Sequence, residues 1–196
     1  RRVLFRSNSF AAFKNAPIKD TLEELNISDT VITHIGLQTI SRIKYLRVLD
    51  ITRCNGIKII SPLGSLKYLE VLRMRGLQMN SDLLQDAFRV PPKNLQQIQI
   101  DATPIDNALM TVICTKFHNL VTLDLAGSRI TSDGLELISC LKHLMFLKLD
   151  RTAVDDKVFD FLVDSTSLEI LSLVDCKNIV GDGIKQLSKL QGLRVV

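Results

Sequence analysis

Apolar and polar positions recur along this chain with a long, steady period. The phrase L-x-x-L-x-L reads LEELNI from Leu22, LRVLDI from Leu46, LEVLRM from Leu69 and LQQIQI from Leu95. It continues as LVTLDL from Leu120, LMFLKL from Leu144 and LEILSL from Leu168. An eighth copy opens at Leu193 as LRVV, and a faint earlier one is visible at Val3 and Phe5. Successive copies from Leu22 to Leu193 lie 24, 23, 26, 25, 24, 24 and 25 residues apart, a register that chance does not hold over seven units. Within each phrase the second and third apolar positions alternate with period two, which predicts a short strand with those side chains inside and the x positions outside.

The second half of each unit carries a different period. In the fifth unit Ile130 is followed by Leu135, Ile138 and Leu141; in the first, Ile32 by Leu37, Ile40 and Ile43; in the seventh, Ile179 by Ile184, Leu187 and Leu190. Steps of about three predict a short helix or 3₁₀ segment with one apolar stripe. Asp106, Asp133, Asp155 or Asp156, and Asp182 stand where carboxylates would cap the first turns. One strand plus one short helix cannot bury its apolar face alone. Stacking the units buries those faces and pairs strand with parallel strand, and a helix wider than the ~4.8 Å strand spacing curves the stack with strands inside.

These phrases resemble the leucine-rich repeat superfamily over residues 22–196. ITSDGLELIS and NIVGDGIKQLS are most similar to its cysteine-containing and ribonuclease-inhibitor-like classes. The resemblance implies an α/β fold: a right-handed β-α superhelix, a leucine-rich repeat solenoid with a parallel concave sheet and convex short helices. The expected organisation is a degenerate or capping unit over 1–21, then a solenoid of seven units plus a truncated eighth over 22–196.

One slot per unit follows the strand and holds Thr30, Cys54, Leu77, Thr103, Ser128, Thr152 and Cys176. Many leucine-rich repeats have Asn there. Here hydroxyls and thiols are expected to fill it as small buried groups. Cys54 and Cys176, five units apart, stand roughly 24 Å from each other and cannot bridge. Cys114 and Cys140 fall on the helical side, where core packing is expected. Free buried thiols favour a reducing compartment, so the expected location is intracellular: cytoplasm or nucleus, with the mitochondrion as an alternative. The unit from Leu69 has 26 residues and ends in Pro91-Pro92, and its neighbour holds Ser61-Pro62. The outer face of 57–94 is therefore expected to be loopier.

The outward strand positions form columns. The first reads Glu24, Val48, Val71, Gln97, Thr122, Phe146, Ile170 and Val195; the second Asn26, Asp50, Arg73, Gln99, Asp124, Lys148 and Ser172; the third Ser28, Thr52, Arg75, Asp101, Ala126, Asp150 and Val174. Phe146 is out of place on a solvated strand face. With Met145, Ile170 and Val174 it predicts an apolar patch, rimmed by Lys148, Asp150 and Arg151. Arg53, Arg73 and Arg75 are expected to read an acidic segment. Gln97, Gln99, Asp101 and Asp124 complete the candidate partner-binding set on this face.

Composition refines the picture only a little. The 196 residues include 31 Leu and 19 Ile but no Trp and two Tyr, with a mean hydropathy of +0.18. This is a core of many similar aliphatic sites. No apolar run approaches the ~20 residues of a membrane span. Net charge is +4, divided as +7 over residues 1–98 and −3 over 99–196, an asymmetry suited to steering a partner. No block of five basic residues appears, so a nucleic-acid groove is not expected. His34, His118 and His143 sit in different units, no nucleophilic triad assembles, and no phosphate-binding glycine loop is present. No cofactor, metal or catalysis is expected. Gly36, Gly134 and Gly183 near helix starts are read as close-packing positions.

Solenoids need caps. LRVV carries none, and Phe5, Phe10 and Phe13 stand where they could cover the first unit, so the expectation is either that the 196 residues are a fragment or that a further domain or chain covers one of the ends. The unit style also resembles the substrate-receptor repeats of F-box-type ubiquitin ligases, which implies a concave face that holds a protein substrate. A structural subunit of a larger, including mitochondrial, assembly and a ribonuclease-inhibitor-like regulatory scaffold are the alternatives.

Overall fold

The computed structural model describes residues 20–194. The expectations that rest on Val3, Phe5, Phe10, Phe13 and Val195 lie outside those residues. Seven three-residue strands form one sheet: β1 (Glu24–Asn26), β2 (Val48–Asp50), β3 (Val71–Arg73), β4 (Gln97–Gln99), β5 (Thr122–Asp124), β6 (Phe146–Lys148) and β7 (Ile170–Ser172). They lie in chain order and every neighbouring pair is parallel. The register never slips: Leu25, Leu49, Leu72, Ile98, Leu123, Leu147 and Leu171 stand opposite one another across the sheet. All seven are buried. This is the solenoid that the repeat predicts.

The ladder outlasts the named strands. Arg53 N donates to Arg75 O at 2.9 Å, Ala102 N to Ala126 O at 2.9 Å and Arg151 N to Val174 O at 2.8 Å, beyond the strand ends. Arg194 N donates to Glu169 O at 2.8 Å, so the pairing continues onto the eighth copy. Each coil then leaves the sheet through a tight turn, closed in the second coil by Cys54 N donating to Ile51 O at 3.1 Å. The third residue of this turn has positive φ in all seven coils: Asp29, Arg53, Gly76, Ala102, Gly127, Arg151 and Asp175, between +54° and +67°. That backbone suits glycine, and only two coils supply it. The next residue fills the slot singled out in the sequence, and all seven occupants are buried. Cys54 Sγ donates to Ile27 O and Cys176 Sγ to Leu149 O, each at 3.1 Å, and Thr103 Oγ1 donates to Met74 O at 3.3 Å. In these three coils a thiol or hydroxyl thus ties the coil to the one before it.

The outer layer is less uniform. α-Helices occupy α1 (His34–Ile40), α2 (Ser81–Ala87), α3 (Asn107–Lys116) and α4 (Lys157–Leu162), while Ser61–Ser65, Ser132–Leu135, Ile138–Cys140 and Ile184–Lys189 are 3₁₀. The shortest unit, with Pro62, takes the 3₁₀ form. A rise of about 2.0 Å per residue lets fewer residues span the same distance. The loopy outer face expected over 57–94 is corrected at 81–87, where Asn80 accepts a hydrogen bond from Leu83 N at 3.0 Å and starts a helix before the Pro pair stops it. His34 is the first residue of α1.

Of the four expected acidic caps, Asp106 caps its own helix, accepting from Leu109 N at 3.1 Å, and Asp155 accepts from Lys157 N, the first residue of α4, at 3.2 Å. Asp133 lies inside a 3₁₀ turn whose N-cap is Thr131, and Asp182 makes no cap at the N-terminus of Ile184–Lys189. Asp156 instead binds the next coil, accepting from Val180 N, Gly181 N and Gly183 N at 2.8, 3.0 and 3.2 Å. Those N–H groups hold its carboxyl below the ordinary aspartate value. A Cβ on Gly183 would stand 2.8 Å from Asp156 O, so close packing does account for this glycine.

Cys54, Cys114 and Cys176 are buried, but Cys140 is exposed, which corrects its placement in the core. It closes a three-residue 3₁₀ turn too short to carry it inward. Burial, with a smaller contribution from Cys140, pushes the Cys114 thiol up to about 12, and burial raises Cys54 too. At mildly alkaline pH the native chain is expected to label at Cys140 alone with a thiol reagent, and at all four cysteines in denaturant. Mass mapping that finds Cys114 labelled as fast as Cys140 contradicts this packing. The turn makes its own prediction. Gly127→Ala should cost about 1 kcal/mol although the nearest atom to the new Cβ is 4.0 Å away, because the cost is conformational. Ala102→Gly should shift denaturant midpoints the opposite way.

Candidate partner-binding face

Period two sends every second strand residue to the outer face, and the fixed register turns those residues into rows. Phe146 stands between Thr122 and Ile170, and Lys148 between Asp124 and Ser172. Phe146 is 36% exposed and Ile170 half-buried beside it. Val174 is exposed but sits roughly 13 Å further along the strand direction, with Ser172 between, so it does not join them. Met145 precedes the strand and lines an open groove of about 570 Å³ at the strand entries, with Gln96 and Val121 from earlier coils. The apolar patch predicted as one is therefore a Phe146–Ile170 centre with Met145 on its flank.

The charges are more occupied than the sequence implies. Arg53 holds Asp29 with two bonds of 2.6 Å, and this pairing raises its pKa. Arg75 Nε donates to Asp101 Oδ2 at 2.7 Å, and Lys148 Nζ lies 3.3 Å from Asp150. Asp101 and Asp150 were expected to be open to a partner. They are 6% and 7% exposed: Arg75 of the preceding coil engages one oxygen of Asp101, whose other oxygen is buried with no hydrogen-bond partner among the described residues, and Asp150 is engaged by Lys148 of its own coil and by Ser172 and Val174 of the next. Asp150 Oδ1 accepts from Ser172 Oγ at 2.5 Å and from Val174 N at 3.1 Å. Asp50 and Asp124 accept from Thr52 N and Ala126 N, two residues on, and so brace the strand exits. Arg73 and Arg151 have no ion-pair partner among the described residues. Gln97 and Gln99 are half-buried between β3 and β5.

The structure shows nothing that assembles chemistry from these groups. Among the described residues no group of three or more His, Cys, Asp or Glu is placed to hold a metal ion, and no helix is long and apolar enough to cross a membrane. What the sequence did not signal is the exposed row of basic residues in the turns before the strands, at Lys67, Lys93, His118 and Lys142. Only the stacking shows that these four occupy one edge.

Asp124 is the titratable group of this face whose environment opposes its charge. Burial pushes its carboxyl above the ordinary aspartate value, the Asp101 carboxylate adds to the rise, and Ala126 N–H, Lys148 and Arg75 counter it. The folded chain therefore keeps this proton after the unfolded chain has released its own. Stability is lost as pH rises from the ordinary aspartate range through the folded pKa. Asp124→Asn preserves an acceptor for Ala126 N, as Asn26 does for Ser28 N at 3.0 Å. The variant should gain stability over the wild type across that interval and hold a constant difference above it. Denaturation curves that run parallel from acid to neutral pH would sink this assignment.

The comparisons agree with the geometry. A family model described as a leucine-rich repeat matches residues 20–41 and 118–139. Each match starts two residues before the first Leu of a unit, at Leu22 and Leu120. No curated protein matches the sequence. Among solved structures, an internalin C2 of Listeria monocytogenes superposes with a TM-score of 0.66 at 17% identity, covering 97% of this chain and 91% of its own. A second internalin of that species gives 0.55 at 18% identity, covering 87% of this chain and 51% of its own, so this chain spans about half its length. At such identities the likeness is one of fold.

Proposed function

Because the chain is a leucine-rich repeat solenoid, we propose that it is a non-catalytic protein-recognition module that takes its partner on the concave sheet face. The observation that carries this reading is the exposure of Phe146 beside Ile170, with Thr122, Asp124, Lys148 and Ser172 around them. A solvated strand face gains nothing from an open phenyl ring, whereas aromatic anchors concentrate binding energy at interfaces. Thr122, Asp124, Lys148 and Ser172 supply a polar rim. Arg73 is a cation without an ion pair in the second column, and its planar fork matches a carboxylate.

The mixture also bears on the finer role. A small apolar centre in a polar surround suits reversible capture, while permanent assemblies bury larger apolar faces. We therefore favour a substrate receptor, as the F-box-type resemblance implies, over a fixed subunit or a stoichiometric inhibitor. The test is capture of partners from cells by the immobilised chain, repeated with Phe146→Ala and Arg73→Glu. Each variant should melt like the wild type, and Phe146→Ala should weaken binding of the captured partner by on the order of tenfold. Undiminished affinity in both folded variants removes the partner from this face.

A further inference from the structure

The turns that lead into the strands carry a second surface. Immediately before Leu46, Leu69, Leu95, Leu120 and Leu144 stand Lys44-Tyr45, Lys67-Tyr68, Lys93-Asn94, His118-Asn119 and Lys142-His143, and all ten residues are exposed. Because these leucines recur at one height in successive coils, the basic residues form a row along one edge of the sheet, about 4.8 Å per step. The row is built firmly. Asn94 Nδ2 donates to Lys67 O at 2.7 Å, Asn119 Nδ2 to Lys93 O at 2.9 Å and Ser167 Oγ to Lys142 O at 2.7 Å. Each of these lysines thus has its backbone pinned by the following coil.

Folding does not call for this charge. On the opposite edge two cations are paired between coils, Arg53 with Asp29 and Arg75 with Asp101. Here Lys67 and Lys93 stand in neighbouring coils with like charge and repel. Lys44 is tied to Asp20 at 3.0 Å, but Lys67, Lys93 and Lys142 have no ion pair among the described residues. Thr166 holds the same position in the seventh coil, so the position itself does not demand a base. The groove at the strand entries lies directly alongside. Asn94, Asn119 and His143 come from the basic turns, and Gln96, Val121 and Met145 from the strand side. Thr166, Ser167, Glu169 and Gly192 line its seventh-coil end.

The geometry points to this edge as a docking site for an extended acidic segment of a partner protein. Its carboxylates pair with Lys67, Lys93 and Lys142, and small apolar side chains alternating with them rest on Val121 and Met145. The carboxamides of Asn94 and Asn119, held by their nitrogens, keep their oxygens to accept the segment's backbone N–H groups. Three coil steps cover roughly 14 Å, the length of about four extended residues, so two or three carboxylates engage at once. A nucleic acid fits less well, since the groove holds the Glu169 carboxylate at one end, where a phosphate backbone would be repelled. This site goes beyond the sheet-face reading and does not use Phe146.

The experiment is fluorescence anisotropy of the whole chain with a labelled peptide of alternating glutamate and alanine. The wild type should bind it, more weakly as salt is raised, and should ignore the corresponding lysine–alanine peptide. Lys67→Glu, Lys93→Glu and Lys142→Glu combined should lose at least about tenfold in affinity. The triple Gln variant, read alongside for folding by its melting curve, should fall between. Phe146→Ala should bind the peptide like the wild type, which separates this site from the one on the sheet face. Equal affinity in the folded triple variants, no binding by the wild type, or tighter binding of oligothymidylate than of the peptide would overturn the proposal.

Discussion

The whole molecule depends on one contact, the face of each coil pressed against the next. A strand of three residues and a helix of six to ten cannot sustain a core alone. Side by side they share one, in which Leu25, Leu49, Leu72, Ile98, Leu123, Leu147 and Leu171 form a single file. The parallel ladder fixes the spacing of that file, so every coil must present the same atoms at the same height. This explains why five coils accept a left-handed backbone at a residue other than glycine, since each must leave the sheet at the same point. It also explains why the outer layer is free to vary between α and 3₁₀, because no ladder constrains it.

The same demand recruits most of the polar groups. Thiols and hydroxyls in the slot after the strand reach back to the previous coil's carbonyls. Asp156 stitches the turn of the following coil, and Asp150 braces β7. A charge spent between coils is not available to a partner. The two proposed surfaces, Phe146 with Ile170 on the sheet face and the lysines along the strand-entry edge, draw on residues that the coil-to-coil contacts leave exposed or half-buried.

The unit length, the strand positions, the buried face and the outward columns were all legible in the sequence. Period two decides which side of a strand faces in, and a repeat of about two dozen residues leaves one register in which all the apolar positions coincide. Phe146 could be picked out for the same reason, as an aromatic residue at an outward position. The tertiary structure alone decided which outward residues are in fact open. Asp101 and Asp150 share a column with exposed neighbours yet are buried, each engaged by groups of an adjacent coil. Cys140 has an apolar neighbourhood in sequence and an exposed place in space. The lysine edge escaped that reading, since its members stand in the turns before the strands, where period two assigns no direction. Periodicity encodes the direction in which each side chain points. Whether a group meets solvent, a carbonyl or another charge is set by the coil beside it, at a distance that exists only once the coils have packed.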